Sequence, residues 1–302
     1  MTALVLHGGA WDIPDDVVDA HVEGIRAAMK TGWAVLHKGG SAVEAVEMAI
    51  RAMEDDETFD AGKGSFLNLS GEVELEAGIM NGRNLRAGAA AGVQNIRNPI
   101  SLARTIMEKS EHVLLAGIGA SRFAREHGVQ LCKEDDLIVD REIIRWRDAQ
   151  AGKHGGAKHS VKKKKAGGDT VGAVALDKAG NLASGTSSGG TPNKHPGRIG
   201  DSPLIGCGTF ADNESAAVAT SGWGEGLMRI VLAKTVADLM GRHEGDPSRA
   251  AREGIDLLHR KVDGYGGVIA LDPHGRIGIA FNTPRMARGY ITTEMKAPVV
   301  EI

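Results

Sequence analysis

The sequence predicts an α+β protein in which antiparallel β-sheets pack face to face and helices cover the outside. Two hairpin signals lie in the C-terminal half, at "TVGAVALDKAGNLASGTSS" and "GGVIALDPHGRIGIAFN". Both halves run strands, then helices, then strands, an order that disfavours a doubly wound parallel sheet. The sequence holds 42 glycines, with pairs at the ends of apolar runs, as at Gly8-Gly9, Gly39-Gly40, Gly189-Gly190 and Gly266-Gly267, where tight turns and close backbone packing need them.

Ala3 to Leu6 is a short apolar run ended by "HGGAW", a buried strand and a turn. From Asp16 to His37 apolar residues recur at helical spacing, and Gly39-Gly40 stops the pattern. Ser41 and Glu44 form a capping-box pattern that opens a second helix through Met53. "SFLNLSGEVELEAGIM" alternates on both sides of Ser70-Gly71 and predicts a hairpin, and "LRAGAAAGVQNI" adds a strand. Pro99 opens a helix through about Lys109, and after "HVLLAGIGASRFAREHG" the pattern decays. Residues 147–168 combine glycines, histidines and a run of four lysines, and predict a mobile linker with too little apolar area to offset its ordering entropy. The lysine run reads better as a solvated segment than as a nuclear or nucleic-acid signal, and His154 and His159 have no ligand partners nearby. Beyond the first C-terminal hairpin, "SAAVATSGWGE" is a strand and turn. "GLMRIVLAKTVADLM" and "SRAAREGIDLLHRKV" are long helices, and the second hairpin closes the pattern near Asn282.

At 302 residues with 42% apolar content the chain fills one large domain or two modest ones, and a formal charge of −3 gives no general attraction to nucleic acid or membrane. No apolar run reaches the roughly 20 residues of a membrane span, and the first residues lack the basic region of a secretory signal. Cys132 and Cys207 lack metal-ligand spacing. A cytoplasmic protein with reduced thiols is the expectation.

The chemistry gathers around "GGDTVG". It leads into a strand, not into a helix as phosphate loops do, and no G-x-S-x-G sits at a strand-to-helix elbow. Thr170 is different if it becomes a chain terminus. A free α-amino group titrates near 7.7–8.0, so its neutral fraction can take the proton of its own residue's hydroxyl. Before that, the same hydroxyl can attack the Asp169 carbonyl and shift the acyl group from nitrogen to oxygen, leaving an ester that water opens. The plain alternative is a threonine that merely begins a β-strand.

"TSSGGTPNKHPGRIGDSPLIGCGTFADNESAAVATSGWGE", with "GDTVGAVALDKAGNLASG" and "HGGAW", resembles the plant-type (isoaspartyl peptidase) L-asparaginases among the N-terminal nucleophile hydrolases, from Leu4 to about Asn282. The resemblance implies a four-layer αββα sandwich over residues 1–302, autocleaved into an α subunit (1–169) and a β subunit (170–302), and a dimer of such heterodimers. It implies Thr170 as nucleophile, Ser188 as its hydrogen-bonding partner, and Ser221 with the Gly222 N–H as the oxyanion hole. Arg198 and Asp201 would hold the substrate's α-carboxylate and α-ammonium, with Gly224 adding a carbonyl. Autocleavage would involve Asp169, Thr170, Asp60, Gly8 and Gly9. "EDDETFDAG" would bind a structural sodium through main-chain carbonyls of Met53, Glu54, Asp56, Phe59, Ala61 and Lys63, with no cofactor for catalysis. The partner is a small-molecule or dipeptide substrate. A guanidinium and a carboxylate three residues apart suit an amino-acid head group, although such a pair is usually a surface ion pair.

Three departures from the family pattern involve four positions. Asp60 stands where the family has asparagine beside the nucleophile. Serines stand for threonines at 188 and 221. Asp169 precedes the nucleophile where many asparaginase-type relatives have glycine and glycosylasparaginases have aspartate. The activity implied is hydrolysis of asparagine and β-aspartyl dipeptides through a β-aspartyl ester on Thr170. Glycosylasparaginase, a threonine endopeptidase of the taspase branch and a catalytically silent aspartate-binding protein are the alternatives.

Overall fold

In the computed structural model, which describes residues 1–152, 170–242 and 245–302, two buried strands, apolar apart from His7, form the centre. β1 (Ala3–Trp11) and β5 (Val171–Leu176) pair antiparallel, Gly8 opposite Val171 and Ala3 opposite Leu176. They belong to an eight-stranded sheet. Its remaining strands are β2 (Leu75–Asn81), β3 (Ala87–Val93), β4 (Leu114–Ala116), β6 (Leu182–Ser188), β11 (Arg285–Thr292) and β12 (Val299–Glu301), in the order β12-β11-β1-β5-β6-β2-β3-β4. A second sheet has the order β10-β9-β8-β7, from β7 (Thr209–Ala211), β8 (Ala217–Gly222), β9 (Gly266–Leu271) and β10 (Ile277–Phe281).

Alternation along β1 shows why the sheets stack. Leu4 and Leu6 point one way, into a core with Ile25, Met29, Val46 and Ile50 from α1 (Val18–His37) and α2 (Ala42–Glu54). Ala3 and Val5 point the other way, against Ala219, Ile269 and Leu271 of the second sheet. The far face of that sheet, through Val218, Val268 and Ala270, is covered by α6 (Gly224–Ile230), α7 (Leu232–Arg242) and α8 (Pro247–Val262). Helices, sheet, sheet and helices therefore stack as four layers, the expected α+β arrangement. Because both faces of β1 and β5 are covered, they carry continuous small and apolar residues, as sandwiched strands do.

Several expectations need correction. Ser70-Gly71 does not turn a hairpin. Residues 65–74 are irregular, and Leu67 and Leu69 exchange backbone hydrogen bonds with Asn193 and Lys194. Leu67 is thereby held against the apolar group of Leu75 and Ile106 without a strand partner. α4 (Gly117–Glu126) lies within "HVLLAGIGASRFAREHG", the decayed stretch after it holds α5 (Asp140–Gln150), and β4 pairs parallel with β3 across α3 (Pro99–Lys109). The first residues of the expected linker belong to α5, because Ile143 and Trp146 pack on that same apolar group. The rest of the linker, with the lysine run, His154, His159 and Asp169, lies outside the described residues. The long helix expected from Gly226 breaks at Val231, in the left-handed region at φ 51°. The chain also continues past Asn282 into β11 and β12, placing β11 beside β1.

Gly88 in β3 has no room for a side chain: a Cβ would lie 2.0 Å from the Ala103 carbonyl and 2.5 Å from the Met107 nitrogen, both helical backbone. Gly88→Ala should therefore push α3 off the sheet and cost about 1–3 kcal/mol in urea unfolding. An unchanged unfolding midpoint would contradict this packing.

Candidate functional site

The site forms where strand ends from both sheets meet. Thr170 immediately precedes β5, Ser188 ends β6, and the antiparallel pairing of Val171 with Ser187 brings these ends together. The Thr170 hydroxyl donates to Ser188 Oγ at 3.2 Å, and Ser188 Oγ also accepts the Gly190 N–H at 2.9 Å. Both side chains are buried. β1 contributes a bulge at Gly8-Gly9, with Gly9 at φ 100°, where its register with β11 shifts. Beyond the bulge, the Ala10 N–H donates to Ser221 Oγ at 3.0 Å, tying β1 to the end of β8. Gly222 follows at φ 134°, with β9 so close that a Cβ would lie 2.4 Å from Gly266 Cα.

Asp60 approaches from the loop after α2. Its Oδ1 accepts the Phe66 N–H at 2.7 Å and its carbonyl accepts the Gly189 N–H at 2.9 Å. It therefore fixes the residue next to Ser188. His7 lies on the opposite side, its ring over Gly172, where a Cβ would be 2.1 Å from Nε2. Burial pushes His7 down to about 3, against the opposing influence of the Thr170 backbone. Its ring nitrogens make no hydrogen bond of normal geometry. The ring is therefore neutral at ordinary pH.

Arg198 and Asp201 form a second group. Arg198 Nε donates to Glu225 Oε1 at 3.0 Å, leaving its terminal amines to face the site. A Cβ on Gly224 would lie 2.8 Å from Arg198 Nη2 and 2.9 Å from Asp201 Oδ1, so this glycine leaves open the point where cation and anion converge. Burial and then the Glu76 charge push Asp201 up to about 7, opposed by the Thr220 hydroxyl, which donates to Oδ2 at 3.0 Å, and by Arg198. Burial works to lower Arg198, but Glu225, Glu76 and Asp201 outweigh it and hold the guanidinium charged. Lys194 is also buried. Its Nζ donates to the Glu74 carbonyl at 2.6 Å, and burial lowers its pKa against the charges of Glu76, Glu74 and Asp60.

Sequence reasoning overlooked His7, Glu74, Glu76, Thr220 and Glu225 as parts of this site, and passed over Lys194 within a quoted motif. The available signal was "VELEA", two carboxylates at alternate positions of a run that otherwise reads as buried strand. Among the sequence-derived candidates, Thr170, Ser188, Ser221, Gly222, Arg198, Asp201, Gly224, Asp60, Gly8 and Gly9 all lie at this edge. Asp169 lies outside the described residues.

The loop 53–63 stands apart, at the end of α2. Its Met53, Glu54 and Asp56 carbonyls accept N–H groups of Asp56, Lys63 and Phe59. Gly62 and Gly64 have positive φ, and a Cβ there would come within 2.5 Å of the Glu54 carbonyl and 2.8 Å of the Phe59 carbonyl, respectively. The loop is thus a cradle of hard oxygen atoms kept open by glycine, and each carbonyl retains a lone pair after one hydrogen bond. No group of three His, Cys, Asp or Glu residues suited to a metal occurs among the described residues, nor does a helix long and apolar enough to cross a membrane.

Comparison with known proteins agrees with this layout. An asparaginase family model matches residues 1–301. An isoaspartyl peptidase/L-asparaginase of Danio rerio is 40% identical over 298 aligned residues, covering 95% of this chain and 91% of its own. A plant-type L-asparaginase of Pyrococcus horikoshii is 40% identical over 312 aligned positions, covering 99% of each chain. An isoaspartyl peptidase/L-asparaginase of Mus musculus is 42% identical over 274, covering 90% of this chain and 82% of its own.

Neutral His7 predicts the acid behaviour of the fold. Its folded pKa lies below the unfolded value of 6.5, so its contribution is present above 6.5 and is lost as pH falls toward about 3. Over that window this group alone should lower stability by about 1.4 kcal/mol per pH unit. Urea unfolding of the wild type against His7→Gln should show a difference that shrinks on acidification; a difference independent of pH would remove His7 as the cause.

Proposed function

The chain belongs to the asparaginase family, and we propose that it is a threonine-dependent amidohydrolase that cleaves itself between Asp169 and Thr170 and then hydrolyses L-asparagine and β-aspartyl dipeptides. The observation that carries this reading is the convergence of a buried, hydrogen-bonded Thr170 at the start of β5 with the Arg198 and Asp201 pair at one sheet edge. The names of the relatives supply the substrate class.

Maturation begins with Thr170 Oγ1 attacking the Asp169 carbonyl carbon. The peptide C–N bond breaks as the acyl group moves to oxygen, the nitrogen gains a proton, and water opens the ester to leave a free amine on Thr170. In turnover that amine accepts the Thr170 hydroxyl proton while Oγ1 attacks the substrate's side-chain carbonyl. Ser188 Oγ lies 3.2 Å from Oγ1 and orients the nucleophile; once the Thr170 proton is on the amine, the Ser188 hydroxyl donates in that contact. Ser221 accepts from the Ala10 N–H, which leaves its own proton free to donate to the oxyanion together with the Gly222 N–H. Such donors contribute ~2.7–4 kcal/mol each to the transition state. The protonated amine returns its proton to the leaving ammonia or amino acid, and water releases aspartate from the β-aspartyl ester. Arg198 binds the α-carboxylate, while Asp201 and the Gly224 carbonyl bind the α-ammonium, so both charges of the head group are matched.

The carbonyl cradle of Met53, Glu54, Asp56, Phe59, Ala61 and Lys63 fits a structural sodium ion, whose charge would hold the loop bearing Asp60 in place. The expected assembly is a dimer of cleaved heterodimers in the cytoplasm. Two free thiols, Cys132 and Cys207, are consistent with a reducing compartment.

Intact-mass measurement of fresh and incubated protein should show fragments of residues 1–169 and 170–302, released together with asparaginase activity. Thr170→Ala should stay uncut and lose at least about 10³-fold in kcat. An uncut wild-type chain that binds aspartate without turnover would replace this reading with a silent binding protein. Turnover confined to glycosylated asparagine, or to one site in a folded protein, would move it to the glycosylasparaginase or taspase class.

Exchange of sodium chloride for choline chloride at equal ionic strength tests the cradle. The thermal midpoint should fall, because a ligand bound only by the folded state stabilises it by mass action. Equal midpoints in the two salts would remove sodium from the account.

A further inference from the structure

Glu74, immediately before β2, and Glu76, its second residue, lie two positions apart and are both buried. Each grips a glycine N–H with both carboxylate oxygens. Glu74 accepts from Gly197 at 2.9 and 3.2 Å, and Glu76 accepts from Gly200 at 2.9 and 3.1 Å. The two attachments bracket Arg198 and end one residue before Asp201. A Cβ on Gly200 would lie 2.6 Å from Glu76 Oε1 and 2.8 Å from Arg198 Nη1, so both groups crowd this glycine, and the Arg198 charge acts on the carboxylate across it. Glu76 is also the register partner of Ser188 across β2 and β6, which links the head-group loop to the strand that meets the nucleophile.

The groups acting on Asp201 come from four directions. Arg198, on the same loop, is held by Glu225 from α6; Thr220 comes from β8; Cys207 follows in the next turn; and Glu76 comes from β2. Glu76 is the anion among them that acts most strongly on Asp201. Burial raises Glu76 as well, while Lys194, Arg198 and the Gly200 N–H favour its charged form, so the charge of the sheet wall behind the substrate site is supported by those two cations.

We propose that Glu76 is a positioning residue for head-group recognition: it fixes the loop that carries Arg198 and Asp201, and its charge makes Asp201 depend on an arriving ammonium to stay ionised. This rests on the reading that Arg198 and Asp201 bind the amino-acid head group. With Asp201 at about 7 in the empty site, ammonium binding below that pH must drive its proton into solvent. The Asp201 O–H bond breaks, the proton goes to buffer, and the carboxylate pairs with the ammonium.

The test is KM and kcat for L-asparagine between pH 5.5 and 8 in the cleaved enzyme, for wild type, Glu76→Gln and Glu76→Asp. Calorimetric proton release on L-aspartate binding to the wild type accompanies it. Wild-type KM should rise as pH falls below about 7, approaching tenfold per unit, with proton release on binding in the same range. Glu76→Gln keeps an oxygen for the Gly200 N–H but removes the charge, so the KM rise should move to lower pH. Glu76→Asp should restore it. Succinamate, which lacks the ammonium, should show no such rise in any variant. A purely structural Glu76 would lower thermal stability or kcat in Glu76→Gln and leave the pH position of the KM rise where it was, which overturns the proposal. Wild-type turnover with a flat KM and no proton release overturns it too, without touching the proposed activity. If the wild type neither binds nor hydrolyses asparagine, the head-group reading itself falls, and this inference falls with it. Should Glu76→Gln fail to fold, a flat wild-type KM without proton release still overturns the proposal, and so does a Glu76→Asp profile shifted away from the wild type's.

Discussion

Burial of β1 and β5 on both faces is the constraint on which the rest of the structure depends. One face meets helices and the other meets a second sheet, so a polar side chain in the middle of either strand would have to find partners inside a dry core. Polar chemistry is therefore displaced to strand ends. Thr170, Ser188 and Ser221 all occupy such ends, and the antiparallel order β1-β5-β6 brings two of them to the same edge. The Ala10 to Ser221 hydrogen bond adds the third from the other sheet. His7 is the exception that illustrates the rule: seated inside β1, it survives by remaining uncharged, and Gly172 makes room for its ring.

The same constraint shapes the charges. Glu74, Glu76, Lys194 and Asp201 are all buried, and an isolated ion there would cost several kcal/mol. Each is instead set against another: Lys194 and Arg198 oppose Glu76, and Arg198 is also held by Glu225. The backbone glycines of the 197–200 segment complete the arrangement by donating to the two glutamates. Removing one member leaves the others buried without a counter-charge, so the group acts as a unit in which single residues cannot be assigned separate energies.

Elements with local signatures were legible in the sequence. α2 is capped by Ser41, α3 runs from Pro99 to Lys109, and β5 and β6 form the hairpin signalled by "DKAGN". What failed depends on distant partners. The alternation across Ser70-Gly71 looked like a hairpin because period 2 registers buried and exposed sides without saying what pairs with them; here the pairing is with residues 193–194, far along the chain. The break at Val231 has no glycine or proline to announce it. At the site, the residues for which the family resemblance implied a role were found, while His7, Lys194, Thr220 and Glu225 were passed over inside the same motifs. Glu76 was missed because a strand carboxylate resembles a solvent-facing one until the opposing loop is in place.

The departures at 188 and 221 bear on the chemistry in a specific way. Serine lacks the methyl that limits χ1 in threonine, so a serine hydroxyl must be oriented by its surroundings. Ser188 Oγ is pinned from two sides, by the Thr170 hydroxyl and the Gly190 N–H, and Ser221 Oγ is pinned by the Ala10 N–H. Two of these three donors are backbone groups, fixed by Gly190 at φ 92° and by the bulge at Gly9, so the geometry is set by the main chain. The orientation that a β-branched residue carries intrinsically is here supplied by the loop glycines. The serine substitutions are therefore compatible with a working site for as long as those backbone conformations persist.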